Sequence, residues 1–330
     1  MYASMLSIGA YSPERRLTNV DLEKMVDTSD EWIVKRTGIK ERRIAADDQA
    51  ASDLGVLAAR QAIERANLAI GDIDLIIAAT LSGDFLFMPS TAAVIAGKLG
   101  AINIPAFDAL AACSGFIYAL ATAKAYIESG MASNVLIAGA EASSRFMDYS
   151  DRSVCVLFGD GAGAAVIGAT DDPSAAIIDT KIASDGTQWD NLYIDGGGKN
   201  PIREGKPYRP FIRMKGNETF KLAVRALSSD VAEILARNNL KASQIKHFIP
   251  HQANLRIIKA VSETLGLSEE QVVLTIERYG NTGAASIPMA INDLYESGKL
   301  NKGDLMLLDA FGGGLAWGSA LARFGGDAGR

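Results

Sequence analysis

The chain has 330 residues and a net charge of -6, and this length fits about two domains or one duplicated domain. The negative balance argues against nucleic acid as the main partner, and no apolar stretch is long enough to predict a membrane span. Two cysteines are too few for a disulfide framework and the first residues lack a secretory signal pattern, so a cytoplasmic location is expected.

The first predicted elements recur in the second half of the chain. The segment RANLAIGDIDLIIAAT, which starts at Arg65, resembles RNNLKASQIKHFIPHQ, which starts at Arg237, and their shared Asn-Leu pairs stand at 67–68 and 239–240. Each segment is typical of a helix end, a polar turn and a short buried strand. The strands are predicted over 73–79 and 245–250.

A second repeat follows farther along each half. The sequence Glu-Ser-Gly ends a predicted helix at 128–130 and again at 296–298, which is nearly the same offset along the chain as that of the first repeat. After the next strand, a glycine-rich stretch begins at Phe158 and at Phe311. Alternating helices and strands predict a layered α/β fold, and the repetition predicts two similar halves packed pseudo-symmetrically.

The boundary between the halves is predicted at the turn-forming sequence ATDDPSA. It gives an N-terminal half of 1–170 and a C-terminal half of 171–330. The stretch 184–210 fits neither repeat and is rich in Gly, Asp and Pro, so we interpret it as an inserted loop. A plain surface loop and the lining of a tunnel are both compatible with this composition.

Cys113 is the predicted nucleophile. It stands in AACSGF, directly before the helical run GFIYALATAKAYIES. The positive end of a helix favours the thiolate, which is the nucleophile needed to take an acyl group from a thioester. The competing interpretation is an inert buried cysteine, the commoner state of a lone cysteine, and Cys155 in the strand-like run SVCVLF is interpreted in that way.

His251 and Asn281 are the predicted polar partners of this cysteine. His251 lies between an apolar strand and an amphipathic helix, where a neutral imidazole can donate to an oxyanion, whereas His247 within the strand is assigned a structural role. Asn281 offers a neutral amide donor, although its sequence GNTG is also a good turn. The offset between the two Glu-Ser-Gly sequences, applied to Cys113, leads to Asn281, so the two side chains are expected to face each other.

Three other functions compete with a condensing reaction. One Cys, one His and one Asn also suggest a papain-like hydrolase, but a decarboxylating condensation needs a thiolate and two donors for an enolate rather than a base for water. Gly159, Gly161 and Ala164 fit the dinucleotide pattern G-x-G-x-x-A, yet a strand and not a helix is predicted after them. A non-catalytic binding subunit would not need the whole set of Cys, His and Asn.

Six motifs together resemble the β-ketoacyl-[acyl-carrier-protein] synthase III family over essentially the whole chain. They are AACSGF, PHQAN, YGNTGAAS, FGDGAGAAV, FGGGLAWGSALARF and the opening VDTSDEWIVKRTGIKERRIA. The resemblance implies a thiolase-like fold with five αβαβα layers, in a homodimer. It also implies the first condensation of fatty-acid synthesis, between a short acyl-CoA, typically acetyl-CoA, and malonyl-acyl-carrier protein. A related enzyme of secondary metabolism with a longer or branched starter is the alternative.

The resemblance assigns roles in this reaction. Cys113 would carry the acyl group, His251 and Asn281 would stabilise the enolate, and the backbone N–H groups of Cys113 and Gly313 would form the oxyanion hole. No metal and no cofactor are implied, because the CoA thioester is a substrate. The expected CoA contacts are Thr28, Trp32, Arg36, Arg152, Phe220, Asn254 and Arg256.

Two surface features follow from the same resemblance. The acidic carrier protein is expected to dock on a basic patch, for which the predicted residues are Lys221, Arg225, Arg256 and Lys259. Relatives often have lysines one turn beyond Lys259, where this chain has Glu263 and Thr264. In relatives a Phe in the stretch that corresponds to SGDFLFMPS limits the partner subunit's acyl pocket; here Phe87 is the first choice for this role, with Phe85 or Met88 as alternatives.

Overall fold

The structure is a computed structural model that describes residues 1–198, 203, 205, 208 and 210–327. The strands in this part of the chain are β1 (Tyr2–Tyr11), β2 (Arg15–Thr18), β3 (Glu41–Ile44), β4 (Leu75–Ala79), β5 (Ala106–Ala109), β6 (Asn134–Glu141), β7 (Gly161–Thr170), β8 (Ile177–Ser184), β9 (Leu192–Ile194), β10 (Ile212–Met214), β11 (His247–Pro250), β12 (Leu305–Gly312) and β13 (Ala316–Arg323). The α-helices are α1 (Asn19–Glu23), α2 (Asp30–Thr37), α3 (Ala51–Arg65), α4 (Thr91–Leu99), α5 (Gly115–Glu128), α6 (Gly216–Arg237), α7 (Leu255–Leu265), α8 (Ile276–Tyr279) and α9 (Ser286–Glu296).

The first large sheet is built only from strands of the first half of the chain. Its order is β1-β7-β6-β4-β5. β4 runs parallel to β5 and β6, while β7 runs antiparallel to β6 and β1. The carboxyl ends of β4, β5 and β6 therefore meet at one edge, where the segments that follow them lie side by side.

The second large sheet repeats this arrangement with strands of the second half. Its order is β11-β12-β13-β8, with β11 and β12 parallel and the other pairs antiparallel. β4, β6 and β7 thus have counterparts in β11, β12 and β13, as the sequence repeats predict, and the edge strands β1 and β8 also correspond. The strands change from one sheet to the other between residues 170 and 177, while the two-domain boundary itself stays a prediction.

Helices form layers outside and between the sheets. α5 contacts strands of both sheets, and α9 packs on β1, β7 and β11. A helix covered on two sides must be apolar around most of its circumference, and alanines such as Ala119 and Ala123 let both sheets approach α5 closely. α3 and α4 cover the outer face of the first sheet, and α6, with α7 packed on it, covers the second. The predicted αβαβα fold is confirmed.

Among the predicted strands, the one around Cys155 was wrong and two others begin later than predicted. The run around Cys155 forms turns rather than a strand, because residues 151–157 do not pair with either sheet, although Cys155 itself is buried. The predicted strands 73–79 and 245–250 are shorter at their starts. The predicted strand after Gly159 is β7, so the helix that a dinucleotide site requires is absent there.

The predicted equivalence of Cys113 and Asn281 was also wrong. α5 begins at Gly115 and α9 at Ser286, so the residue that stands in the place of Cys113, two positions before its helix, is Ala284. The offset between the two Glu-Ser-Gly sequences at the helix ends is smaller than the offset between the helix starts, because α9 is shorter than α5. It therefore does not extend to the segments that precede the helices.

The inserted stretch 184–210 is described in part. It contains a short 3-10 helix over Gly186–Asn191 and β9, which pairs with β10 in a separate two-stranded sheet. Residues 199–202, 204, 206, 207 and 209 lie outside the described residues, as do residues 328–330 at the end of the predicted C-terminal half. In the part of the chain that the structure describes, no helix is long and apolar enough to cross a membrane.

Candidate active site

Cys113 lies in a tight 3-10 turn, Ala112–Ser114, directly before α5. The preceding Ala112 has φ +44°, a left-handed conformation that is costly for a residue with a Cβ and is often found at functional sites. The end of β12 presses against the same turn, since a Cβ added to Gly312 would lie 2.6 Å from the Cys113 backbone nitrogen. The position of the cysteine is thus set by two elements, one from each half.

The Cys113 thiol is protonated at rest. Its residue is 4% exposed, and burial raises the pKa of the thiol to about 12, with a further contribution from the negative charge of Glu141. The N-terminal end of α5 acts in the opposite direction, because its positive dipole end favours the thiolate. Attack on a thioester therefore requires that the thiol proton leave during the reaction.

His251 follows β11 and is held in a fixed orientation. Its backbone N–H donates to the Asp309 carbonyl at 2.7 Å, and its Nδ1 lies 2.6 Å from Ser286 Oγ. Ser286 Oγ also accepts the Gln252 N–H at 3.3 Å, and its hydroxyl has no acceptor other than Nδ1 among the described residues, so we assign the hydroxyl proton to Nδ1. The ring proton is then on Nε2, which is buried and has no partner among the described residues.

This imidazole is neutral. Burial lowers the pKa of His251 to about 3 from the ordinary value of 6.5. A neutral ring with a free Nε2–H is a hydrogen-bond donor that can stabilise a developing negative oxygen without itself changing charge.

Asn281 is fixed by both its backbone and its side chain. Its N–H donates to the Leu157 carbonyl and its carbonyl accepts the Gly159 N–H, both at 2.9 Å. Its Oδ1 accepts the Gly283 N–H at 2.9 Å, so the amide oxygen is occupied and the Nδ2 group remains. No described residue accepts from Nδ2, which makes it a second neutral donor.

Contacts between the two halves bring these residues together. The turn that holds Cys113 packs against a second 3-10 turn, Gly283–Ala285, which lies between Asn281 and Ser286. Ser286 in turn holds His251. The three predicted catalytic residues therefore surround one junction of the two halves. Ser286 is a site residue that was not predicted, although its place at the end of GNTGAAS and at the start of a predicted helix was a usable signal.

A cavity of about 770 Å³ opens at Cys113 and Gly313. It is mostly apolar, with walls from Leu81, Phe146, Phe158, Leu192 and the loop after β4. None of the seven predicted CoA contacts lines it. The apolar lining suits the acyl part of a substrate rather than its nucleotide.

The loop after β4 exposes four consecutive apolar side chains at the rim of this cavity. Phe85, Leu86, Phe87 and Met88 are 54%, 50%, 75% and 84% exposed. Phe85 and Phe87 line the cavity, whereas Met88 does not, so Met88 is the weakest of the three gate candidates.

Both ends of this loop are anchored. At its start, Asp84 accepts the N–H and the hydroxyl of Ser52 at 2.9 and 2.5 Å. At its end, Asp108 accepts the backbone N–H groups of Thr91 and Ala92, each at 2.7 Å. These anchors at both ends therefore keep the apolar residues 85–88 on the protein surface.

The ring of Trp32 on α2 lies next to two other predicted CoA contacts, Arg36 and Arg152. The guanidinium carbons of Arg36 and Arg152 lie 5.0 and 5.4 Å from the centroid of its ring. Arg152 also donates to the backbone carbonyl of Asp27 at 2.8 Å. Thr28 is adjacent in sequence, and its hydroxyl is buried without a partner among the described residues.

The remaining CoA candidates lie on α6 and α7. The Arg256 guanidinium carbon is 5.2 Å from the Phe220 ring centroid, and Asn254 caps α7 by accepting the Arg256 N–H at 2.9 Å. Gly38, at the end of α2, contacts Leu255, so these residues adjoin the Trp32 cluster. The four predicted docking residues are exposed on the same pair of helices, which pack against each other: Lys221, Arg225, Arg256 and Lys259.

Known proteins are similar to this chain in sequence and in fold. A family model described as 3-oxoacyl-[acyl-carrier-protein (ACP)] synthase III matches residues 107–186, and its C-terminal model matches residues 235–324. The β-ketoacyl-[acyl-carrier-protein] synthase III of Sulfurimonas denitrificans is 60% identical over 326 residues, 98% of each chain. The chain belongs to the β-ketoacyl-[acyl-carrier-protein] synthase III family. It is an enzyme, a condensing acyltransferase, as the motifs predict.

Solved members of the β-ketoacyl-[acyl-carrier-protein] synthase III family have the same fold. The 3-oxoacyl-[acyl-carrier-protein] synthase III of Aquifex aeolicus is 46% identical in sequence to this chain. Its crystal structure superposes with a TM-score of 0.91 and covers 98% of this chain and 100% of the Aquifex chain. The priming β-ketosynthase of the R1128 polyketide pathway superposes with a TM-score of 0.93 over 100% and 97%, but is only 35% identical. The fold is thus shared with an enzyme of a polyketide pathway, whereas the identities are higher with the β-ketoacyl-[acyl-carrier-protein] synthase III enzymes, so the secondary-metabolism alternative is not favoured.

Proposed function

We propose that this chain condenses a short acyl-CoA with malonyl-acyl-carrier protein and so initiates fatty-acid synthesis in the cytoplasm. Acetyl-CoA is the acyl-CoA that we expect it to use. The observation that carries the proposal is the junction of the two halves, where the turn that holds the buried Cys113 packs against the turn between Asn281 and Ser286. Asn281 and the histidine that Ser286 orients, His251, each offer a neutral donor there. A thiol, two fixed donors and an apolar cavity are the parts of a decarboxylating condensation, and no cofactor is needed.

The first step transfers the acyl group. The Cys113 sulfur bonds to the thioester carbon, the bond from that carbon to the CoA sulfur breaks, and CoA leaves as a thiol with the cysteine proton. The tetrahedral oxyanion is stabilised by the backbone N–H groups of Cys113 and Gly313, and the acyl chain enters the cavity that both residues line.

The second step forms the new carbon–carbon bond. The malonyl group loses carbon dioxide, and the electron pair of the broken bond becomes an enolate whose oxygen accepts from His251 Nε2–H and Asn281 Nδ2–H. The enolate carbon attacks the Cys113 thioester, the carbon–sulfur bond breaks, and the released thiolate takes one proton from solvent. Two donors that are neutral suit this step, since they stabilise the new charge without a prior protonation.

CoA and the carrier protein would use the other cluster of predicted residues. In the structure Arg152 lies over Trp32, so an adenine ring would enter between them and displace the guanidinium from the indole face. Beside them, the exposed cations on α6 and α7 offer an acidic carrier protein a positive surface. Its four residues are Lys221, Arg225, Arg256 and Lys259.

The exposed loop at the cavity rim supports the proposed homodimer. An apolar run of this kind is normally covered by a partner, and its exposure supports a dimer in which Phe87, at the rim of its own cavity, would reach the partner's acyl cavity. We expect Phe87→Asp to shift the protein from dimer to monomer in light scattering and to lower the condensation rate, because a buried charge would face the apolar interface. Met131→Asp is the control: Met131 is 70% exposed but precedes β6, at the opposite edge of the sheet. A monomeric wild type would contradict this expectation.

The proposed function is tested by intact-protein mass spectrometry. Mixing with acetyl-CoA should add one acetyl group to the protein, and malonyl-acyl-carrier protein should then remove it and yield a 3-oxoacyl-carrier protein. A panel of longer and branched acyl-CoAs, tested in the same way, defines the starter that the cavity accepts. Absence of any acyl-enzyme across the panel would overturn the proposal.

A further inference from the structure

Glu141 is a buried acid that neither the motifs nor the proposed reaction uses. It is the last residue of β6 and is 0% exposed. No lysine, arginine or histidine of the described residues pairs with it. A carboxylate in such a position costs free energy unless donors surround it, so its contacts show what it holds in place.

Donors from two different segments reach this carboxylate. From the segment after β4, the Leu81 N–H lies 3.2 Å and the Thr80 hydroxyl 3.3 Å from Glu141 Oε2, and the Ser82 hydroxyl also donates to Oε2. From the other half of the protein, the Ala284 N–H lies 3.4 Å from Oε1. Ser82 Oγ accepts the Ala142 N–H at 2.8 Å, so its own proton is directed at the carboxylate.

Each of the two segments leads to a functional part of the site. Residues 80–82 continue into the loop whose Gly83 and Phe85 line the acyl cavity. Residues 283–285 lie between Asn281 and Ser286, the donor and the residue that orients His251.

The contact with the second segment is tight. Gly283 has φ +55°, and a Cβ added to it would lie 2.9 Å from Glu141 Oε1. On the same strand as the carboxylate, a Cβ added to Gly139 would lie 2.5 Å from the Ala284 carbonyl oxygen. The end of β6 therefore fits this turn closely, which makes it a suitable anchor for the turn.

We propose that Glu141 is a positioning residue for the condensation, whose buried carboxylate ties the turn between Asn281 and Ser286 to the loop that lines the acyl cavity. This inference rests on the proposed function, since the reaction that it positions is the condensation at Cys113. Glu141 acts through the segment that carries the two donors.

The negative charge of Glu141 has a second effect, which works against the reaction because it makes the Cys113 thiol harder to ionise. Its bonded partners are all neutral donors, and its charge acts on the pKa of the Cys113 thiol. Burial raises the pKa of Glu141 to about 7, with the donors acting in the other direction. The negative form raises the pKa of the Cys113 thiol, so removing the charge should make this thiol easier to ionise.

The test is Glu141→Gln, which keeps the shape but removes the charge and replaces one acceptor with a donor. We expect malonyl-carrier-protein decarboxylation and condensation to fall about 10- to 100-fold in kcat with little change in KM, since a buried donor loses its acceptor. Alkylation of Cys113 by iodoacetamide, mapped by peptide mass spectrometry, should become faster. Ser82→Ala, which removes one donor to the carboxylate and the acceptor of the Ala142 N–H, should also lower condensation, but less.

Asp160→Asn is the matched control. Asp160 is also fully buried at the same end of the first sheet, and its carboxylate accepts from Ala45 and Ser144 rather than from the turn before α9. If Glu141→Gln leaves decarboxylation unchanged, or if both carboxamide variants lose acylation, decarboxylation and stability alike, the inference is wrong. Failure of the wild type to be acylated would instead count against the proposed function.

Discussion

Replacing Cys113 with alanine should abolish the acyl-enzyme and lower condensation by at least about 10⁴-fold, because the reaction then has no nucleophile. Decarboxylation of malonyl-acyl-carrier protein should persist, since the two donors that stabilise the enolate do not involve the thiol. The measurements are intact mass after addition of acetyl-CoA, product formation, and release of carbon dioxide from the malonyl thioester.

Cys155→Ala provides the matched control for this variant. Cys155 is also buried, and burial raises the pKa of its thiol to about 11, so the two cysteines differ in position rather than in exposure. Cys155 lies in the turns before Phe158, away from the start of α5. The control should keep acylation and condensation. An acyl group found on the Cys113→Ala protein would mean that another residue is the nucleophile.

Replacing His251 with alanine should have the opposite profile. Acylation of Cys113 should remain, while decarboxylation and condensation should each fall about 10²- to 10³-fold, the usual effect of removing one preorganised donor. The cause is the loss of the Nε2–H, which the contact between Nδ1 and Ser286 aims at the site. Stopped-flow acylation and carbon dioxide release measure the two steps separately.

His247→Gln is the control for the histidine. His247 lies at the start of β11, with its Nε2 3.4 Å from Asp304, and should tolerate the change with both steps intact. If His251→Ala lost acylation and decarboxylation to the same extent, its role as a donor for the enolate alone would be refuted.

The same histidine makes a prediction about pH. The pKa of His251 is lowered from 6.5 to about 3 in the folded protein, so the folded state binds fewer protons than the unfolded state between these values. The contribution of the neutral ring to stability is therefore fully present above pH 6.5 and is lost as the pH falls towards about 3. His251→Ala should have a shallower loss of stability in this acid range than the wild type.

Local sequence was sufficient for the parts of the site that depend on a residue and its own neighbours. Cys113 precedes a helix because AACSGF is followed by a long run of helix-forming residues, and the position of His251 follows from an apolar strand before it. The layered fold was predictable because the helix and strand patterns repeat in the same order in both halves.

The contacts that complete the site join distant residues and could not be predicted in this way. Ser286 reaches His251 only because α9 packs beside β11, and Glu141 meets Ala284 only because the end of β6 abuts the turn before α9. The misplaced equivalence of Cys113 and Asn281 has a related cause. The two central helices differ in length, and a constant spacing along the chain cannot represent that difference.

Asn281 belongs to the second half but takes its backbone support from the first. Its N–H and carbonyl form hydrogen bonds with Leu157 and Gly159, which makes an isolated parallel β-bridge between Asn281 and the segment around Phe158. A polypeptide with only one half would have to borrow this support from a second copy. The two halves of one chain therefore depend on each other as two subunits of a dimer would. The first half carries the nucleophile, and the second half carries the two donors.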